Sequence, residues 1–271
     1  MRKFFRSWIH PVQCLIFLSL FLIHGSLLYS KWQKNIGLTM GPGLFGLSDV
    51  NQYIDQQAQI FEADGYHAST EKYTAGMIFG LCTDFSIGSS FILKPKIETF
   101  NYFSAEANGN RSTTVLLVLT EYEKTYEVSS SLTLASLGLY YTIGQPEDLF
   151  SFSFGVSGGY GVASSRHSLL SETTSYALLV PITSSSEYSF SMNGSCPVLE
   201  IEAGIKLYIT SFLSLEIMPG YRYAYVRNMK ISENVPELNA QSGQPLKDSN
   251  SKTVNYDFSG MTEKIVIHIK F

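Results

Sequence analysis

Phe150-Ser151-Phe152-Ser153-Phe154-Gly155-Val156-Ser157-Gly158-Gly159-Tyr160-Gly161-Val162 is the stretch that decides the fold. Phe150, Phe152, Phe154, Val156, Tyr160 and Val162 share one parity, and Ser151, Ser153, Gly155, Ser157, Gly159 and Gly161 the other. Successive side chains of a β-strand point to opposite faces, so this alternation predicts a strand with one large apolar face and one small polar face.

The same period recurs on both sides. Upstream, Ile36, Leu38, Met40 and Leu44 alternate with Gly37, Thr39, Gly41 and Gly43 over about residues 35–45. A second strand covers 73–81, with Tyr73, Ala75, Met77, Phe79 and Leu81 on its outer face. A tight turn is expected at Thr83 and Asp84, and a third strand from Phe85 to Tyr102 that turns Lys94, Lys96 and Glu98 inward. A fourth strand spans 128–143. Its apolar phase changes between Leu134 and Leu137, which suggests a bulge near Ala135 or Ser136. Downstream, a sixth strand (198–209) alternates Leu199, Ile201, Ala203, Ile205 and Leu207 with Glu200, Glu202, Gly204 and Lys206. A seventh (213–225) sets Leu215, Ile217, Tyr221 and Tyr223 against Glu216, Gly220 and Arg222. The eighth alternates Ile265, Ile267, Ile269 and Phe271 with Lys264, Val266, His268 and Lys270.

The connections alternate in length. Strands 2–3, 4–5 and 6–7 join by short turns, and the other four connections run to roughly 23 to 35 residues. Charged residues make up only 15% of the 271, and aromatic residues 14%. Soluble proteins carry about 25% charge. Strands facing lipid outside and a polar lumen inside have this composition and this one-sided loop length. No apolar run after residue 30 is long enough for a spanning helix, and lipid leaves no partner for an open sheet edge, so a membrane reading requires a closed barrel. A formal charge of −4 gives no electrostatic case for nucleic acid.

The N-terminus reads as a secretory signal. Arg2, Lys3 and Arg6 precede an apolar stretch from Val12 to Ile23, and Gly25, Ser26 and Ser30 follow. Residues 1–30 are the expected signal peptide and 31–271 the barrel domain. The fold expected is all-β: a single antiparallel up-and-down transmembrane barrel, eight strands with ten as the alternative, both ends on the short-turn side.

The closing octet Lys264-Ile265-Val266-Ile267-His268-Ile269-Lys270-Phe271 is similar to the C-terminal signal of bacterial outer-membrane proteins, an alternating strand that ends on an aromatic residue. Over residues 35–271 the chain resembles the small outer-membrane protein β-barrel domain family of Gram-negative bacteria. The resemblance implies residence in the outer membrane among its lipid and lipopolysaccharide, and recognition of Ile265, Ile267, Ile269 and Phe271 by the barrel-assembly machinery. It implies no catalytic residues.

The inward charges are the candidate site. A turn centred on Ser211 sets Lys206 opposite Glu216 and Glu200 opposite Arg222, two pairs of opposite sign on one face. Lys94, Lys96, Glu98 and Glu202 are candidates to join them, because charges in a narrow barrel need partners. If Glu200 and Arg222 pair, a double substitution that swaps their charges should fold nearly normally. Phe85, Phe150, Phe212 and Phe271 are expected in an aromatic girdle at the short-turn rim, and Phe100, Tyr102, Tyr160, Tyr223 and Tyr225 in one at the other.

Neither a metal site nor a cofactor site is evident. Five His and three Cys are scattered without ligand spacing, and Cys82 and Cys196 fall at opposite ends of the barrel, too far apart to pair. Three functions fit. The first is a non-enzymatic barrel with a filled, charge-paired lumen, whose long loops serve structural or surface-interaction roles toward an extracellular ligand. Segments 115–126 and 176–191 alternate enough to form projecting hairpins there. The second is a narrow pore for small or hydrophobic solutes. The third is a lipid A-modifying enzyme using His167, Ser168 and Glu172 in the third long loop, with His67 in the first.

Overall fold

A computed structural model describes residues 34–115, 118–144, 149–177, 180–238 and 240–271. The expected signal peptide lies outside these residues, as does the body of the turn at 145–148.

The described residues form twelve strands: β1 (Lys34–Phe45), β2 (His67–Glu71), β3 (Ala75–Ile87), β4 (Phe91–Tyr102), β5 (Ala105–Val115), β6 (Val118–Ile143), β7 (Phe150–Ala177), β8 (Val180–Tyr208), β9 (Leu213–Val226), β10 (Lys230–Ile231), β11 (Tyr256–Asp257) and β12 (Gly260–Lys270). Eight of them close a ring in the order β1-β3-β4-β6-β7-β8-β9-β12, with every neighbouring pair antiparallel and β12 back on β1. Closure leaves this ring no edge. The outer wall carries the apolar parity, among it Ile36, Leu81, Leu139, Phe154, Ile201 and Ile217, all exposed. No helix among the described residues is long and apolar enough to cross a membrane. An eight-stranded barrel is just wide enough for its own side chains to fill the interior.

Three local expectations need correction. The second strand does not stop at Thr83; β3 continues to Ile87 and the turn is Gly88–Ser90. Gly88 has φ +66, a left-handed conformation that costs glycine nothing and supplies the reversal. No bulge occurs near Ala135, because β6 keeps constant register with both neighbours, from Phe91↔Tyr141 to Asn101↔Ser131 and from Leu119↔Tyr176 to Ile143↔Phe152. The apolar phase changes because the lumen itself becomes apolar: Leu132 and Leu134 point inward and are buried. Tyr73, Phe100 and Tyr102 are likewise buried in an inner cluster rather than in a girdle, and Phe85 is also buried. Tyr160, Tyr223, Phe150, Phe212 and Phe271 are exposed, and Tyr225 is half-buried.

The long connections are mostly not loops. β7 and β8 run 28 and 29 residues as one hairpin, well past the about 9–11 residues a membrane strand needs. β5 pairs with the first half of β6, and β2 pairs with β5. A five-stranded sheet therefore rises from one side of the ring, and the segments expected as hairpins of their own, 115–126 and 176–191, are instead mostly single arms of the longer β5–β6 and β7–β8 hairpins.

Helix α1 (Ser48–Ala63) lies in the first long connection, where no helix was expected. Val50, Tyr53, Ile54, Ala58 and Phe61 recur at helical spacing and form its buried face. It ends in a Schellman motif: Tyr66 N–H bonds Phe61 O at 2.9 Å, Gly65 N–H bonds Glu62 O at 2.9 Å, and Gly65 takes φ +83. The buried face belongs with Phe100, Tyr126, Val128, Leu132, Phe190, Met192, Val226, Tyr256 and Phe258 to one hydrophobic core that fills the upper part of the barrel. The barrel interior thus has two storeys, a charged lower one and an apolar upper one capped by α1.

Candidate functional site: the lumen ion network

The short turn at 209–212 fixes the β8–β9 register, with Glu200 opposite Arg222 and Lys206 opposite Glu216. Arg222 Nε donates to Glu200 Oε1 at 2.8 Å, Arg222 Nη2 contacts the same carboxylate, and it also reaches Glu98 at 3.2 Å. Its guanidinium carbon stacks 3.2 Å from the Phe100 ring centroid, where the charged storey meets the apolar one.

Lys206 does not bond its register partner. Its Nζ turns to Asp84 Oδ2 at 2.9 Å. Glu216 is held from elsewhere, by Lys94 at 3.0 Å, Ser153 at 2.8 Å and His268 at 2.7 Å. Lys96 donates to Glu200 and Glu202, both at 2.7 Å, and Tyr140 bonds Glu202. Lys264 sits among three carboxylates: Glu98 at 2.7 Å, Glu202 at 2.7 Å and Glu200 at 3.2 Å. All these groups are buried.

The eight lumen residues named from sequence therefore converge, and Asp84, Lys264, His268 and Tyr140 join them. β12 already showed Lys264 and His268 on its inward parity. Asp84 was hidden because the turn was expected there. Five cations, Lys94, Lys96, Lys206, Arg222 and Lys264, face five carboxylates, Asp84, Glu98, Glu200, Glu202 and Glu216. In low dielectric this balance matters, since one unpaired member costs several kcal/mol, on the order of 3–5. Such an arrangement ties strands to one another across the lumen. The residues expected to form a C-terminal assembly signal lie elsewhere, with Ile265 and Ile269 exposed on the outer wall of β12 and Phe271 exposed beyond it.

The residues of the enzymatic reading do not form a constellation. His167 is not in a loop but in β7, with its side chain in the upper core, 2.9 Å from Tyr126 Oη and 2.6 Å from Tyr256 Oη and stacked on Phe190. Ser168 and Glu172 have the opposite parity on that strand. Burial pushes the His167 ring down from its ordinary 6.5 to about 3. The unfolded chain therefore takes up a proton below about pH 6.5 that the folded cap refuses, so stability falls with acidification between those two values, by at most about 1.4 kcal/mol per pH unit. Limited proteolysis of the cap from pH 7 to pH 4 should show this loss in the wild type and a flatter response in His167→Gln. Equal slopes would remove His167 as the source.

Cys82 and Cys196 are both free and buried, the first in the charged storey and the second in the apolar one. Sequence spacing showed no metal ligands, but the fold gathers one group: Cys82, Asp84 and His268 place a ligand atom each within 4.8 Å of one another.

No family model matches the chain, and no curated protein matches its sequence. Among solved structures the chain is similar to Ail of Yersinia pestis in complex with the heparin analogue sucrose octasulfate, at 9% identity, 88% of this chain, 99% of that chain and a TM-score of 0.31. It is similar to the N-terminal β-barrel domain of Pseudomonas aeruginosa OprF, at 11% identity, 89% and 100% coverage and a TM-score of 0.33. Neisserial surface protein A matches at 9% identity, 88% and 97% coverage and 0.30. By its own strand register, ring closure and outward apolar wall, the chain is an eight-stranded outer-membrane β-barrel.

Proposed function

We propose that this barrel is non-enzymatic and non-conducting, that the ion network is a structural plug, and that the working surface is the sheet and cap above the membrane. The observation that carries the reading is the closed lower storey: charged side chains from five strands meet across the lumen, each engaged within 3.3 Å. The upper storey supports it, because α1 and its core lie directly in the path of any solute.

Long hairpins on a rigid barrel place a binding surface outside the cell. Between α1, β6 and the stretches 231–238 and 241–249 lies a cleft of about 570 Å³ lined by Tyr53, Gln56, Gln57, Lys124, Gln241 and Gln244 among others. Amides, a lysine and aromatic rings suit a polar extracellular ligand with some apolar surface. The lipid, lipopolysaccharide and assembly-machinery contacts belong to the same proposal.

Planar-bilayer recording on purified protein tests the plug. The expected trace has no steady open level. A sustained ohmic conductance would replace this reading with the narrow pore.

A further inference from the structure

One corner of the lower lumen holds two buried polar atoms that make no hydrogen bond. Asp84 Oδ1 and His268 Nδ1 are buried without a hydrogen-bond partner. Nδ1 stands 3.3 Å from Asp84 Oδ2, and Lys94 Nζ is 3.6 Å from Oδ1. Cys82 completes the group, its ligand atom within 4.8 Å of the other two. The far side of the imidazole is held, since Nε2 lies 2.7 Å from Glu216 Oε2. A carboxylate on the second ring nitrogen is the usual way proteins orient a metal-ligating histidine. The third observation comes from β1. A Cβ at Gly37 would stand 2.6 Å from Cys82 Sγ and 3.1 Å from His268 Nδ1, so the glycine keeps open the space between sulfur and nitrogen.

We propose that Cys82 Sγ and His268 Nδ1 bind a soft monovalent cation, cuprous or silver, with Asp84 as a weaker third donor. Thiolate with imidazole selects soft ions. Charge selects the monovalent one. With the ion bound, Cys82 a thiolate and His268 neutral, the ion cancels the thiolate and the five cations still face five carboxylates. Zinc on the same donors would leave one uncompensated positive charge beside Lys94 and Lys206, which already share Asp84. Binding forms metal–sulfur and metal–nitrogen bonds, breaks the S–H bond and releases that proton to water, with no change of oxidation state. At the short-turn mouth a cavity of about 250 Å³, lined by Ser86, Ser90, Ser214 and Lys206 among others, reaches the lysine that bonds Asp84.

The test is anaerobic titration of the detergent-folded full chain with silver or cuprous ion against a competing chelator. One equivalent is expected to resist competition. Cys82→Ser should weaken binding by on the order of 100-fold and His268→Gln by at least about 10-fold, by analogy with the loss of supporting groups around metal sites. Cys196→Ser should change nothing. Retained binding in Cys82→Ser, loss in Cys196→Ser, or equal retention of zinc would each overturn the proposal. X-ray absorption on the copper-loaded wild type needs no variant. One sulfur and one or more nitrogen or oxygen neighbours are expected, and a sulfur-free shell overturns the site even if the substituted chains fail to fold.

Discussion

Arg222→Met should cost this barrel about 3–5 kcal/mol of unfolding free energy, the range for breaking a buried ion pair from one side. Arg222 is fully buried, and its guanidinium serves Glu200 and Glu98 while covering Phe100. Methionine fills much of the volume but leaves four cations for five carboxylates. Denaturant unfolding of the detergent-folded protein, followed by the heat-modifiable gel shift, measures the loss. A change below about 1 kcal/mol would mean that water screens the lumen. The structure also revises what a charge exchange should do. An isolated Glu200–Arg222 pair would tolerate reversal, but Glu200 also receives Lys96 and Lys264, and Glu98 leans on Arg222. Glu200→Arg combined with Arg222→Glu would set the new arginine between two lysines and the new glutamate against Glu98. The double variant should be no more stable than the worse single one. Full rescue would show that the pair is insulated from its neighbours.

How much of this was legible in the chain follows from which interactions are local. Parity along a strand and a short turn fix a register by counting, so the facing of Glu200 and Arg222 across β8 and β9 could be read without coordinates. The true partner of Lys206 could not. Asp84 lies 122 residues away and meets it only because the ring closes. The same holds for Lys94 with Glu216 and Lys264 with Glu98, which span the lumen rather than a hairpin. The convergence of Cys82 with His268 has the same cause: β1 joins β3 to β12, and no sequence spacing records that. The upper storey was missed for another reason. A search for period two treats Leu132 and Leu134 as a phase error, though they are inward residues of a lumen that has turned apolar. It also passes over Val50, Tyr53, Ile54 and Phe61, whose spacing is helical and whose stop at Gly65 is a standard helix ending.

Ile54→Asp should separate the two storeys. Ile54 is fully buried on α1, and a carboxylate there has no partner in the apolar core, so the cap should lose several kcal/mol, about 2–5. Limited proteolysis should then cut α1 faster than in the wild type. The ring should survive, because α1 packs against β2, β5, β6 and β11, while the lower storey is tied by strand ladders and ion pairs that α1 does not touch. A heat-modifiable band of wild-type mobility, together with a nicked cap, is the expected result. Conductance then decides which storey closes the barrel. With the cap loosened and Arg222, Lys264 and their carboxylates intact, the bilayer trace should stay closed. If a steady current appears in Ile54→Asp and not in the wild type, the helix is the plug and the charges beneath it line a path that the helix keeps shut.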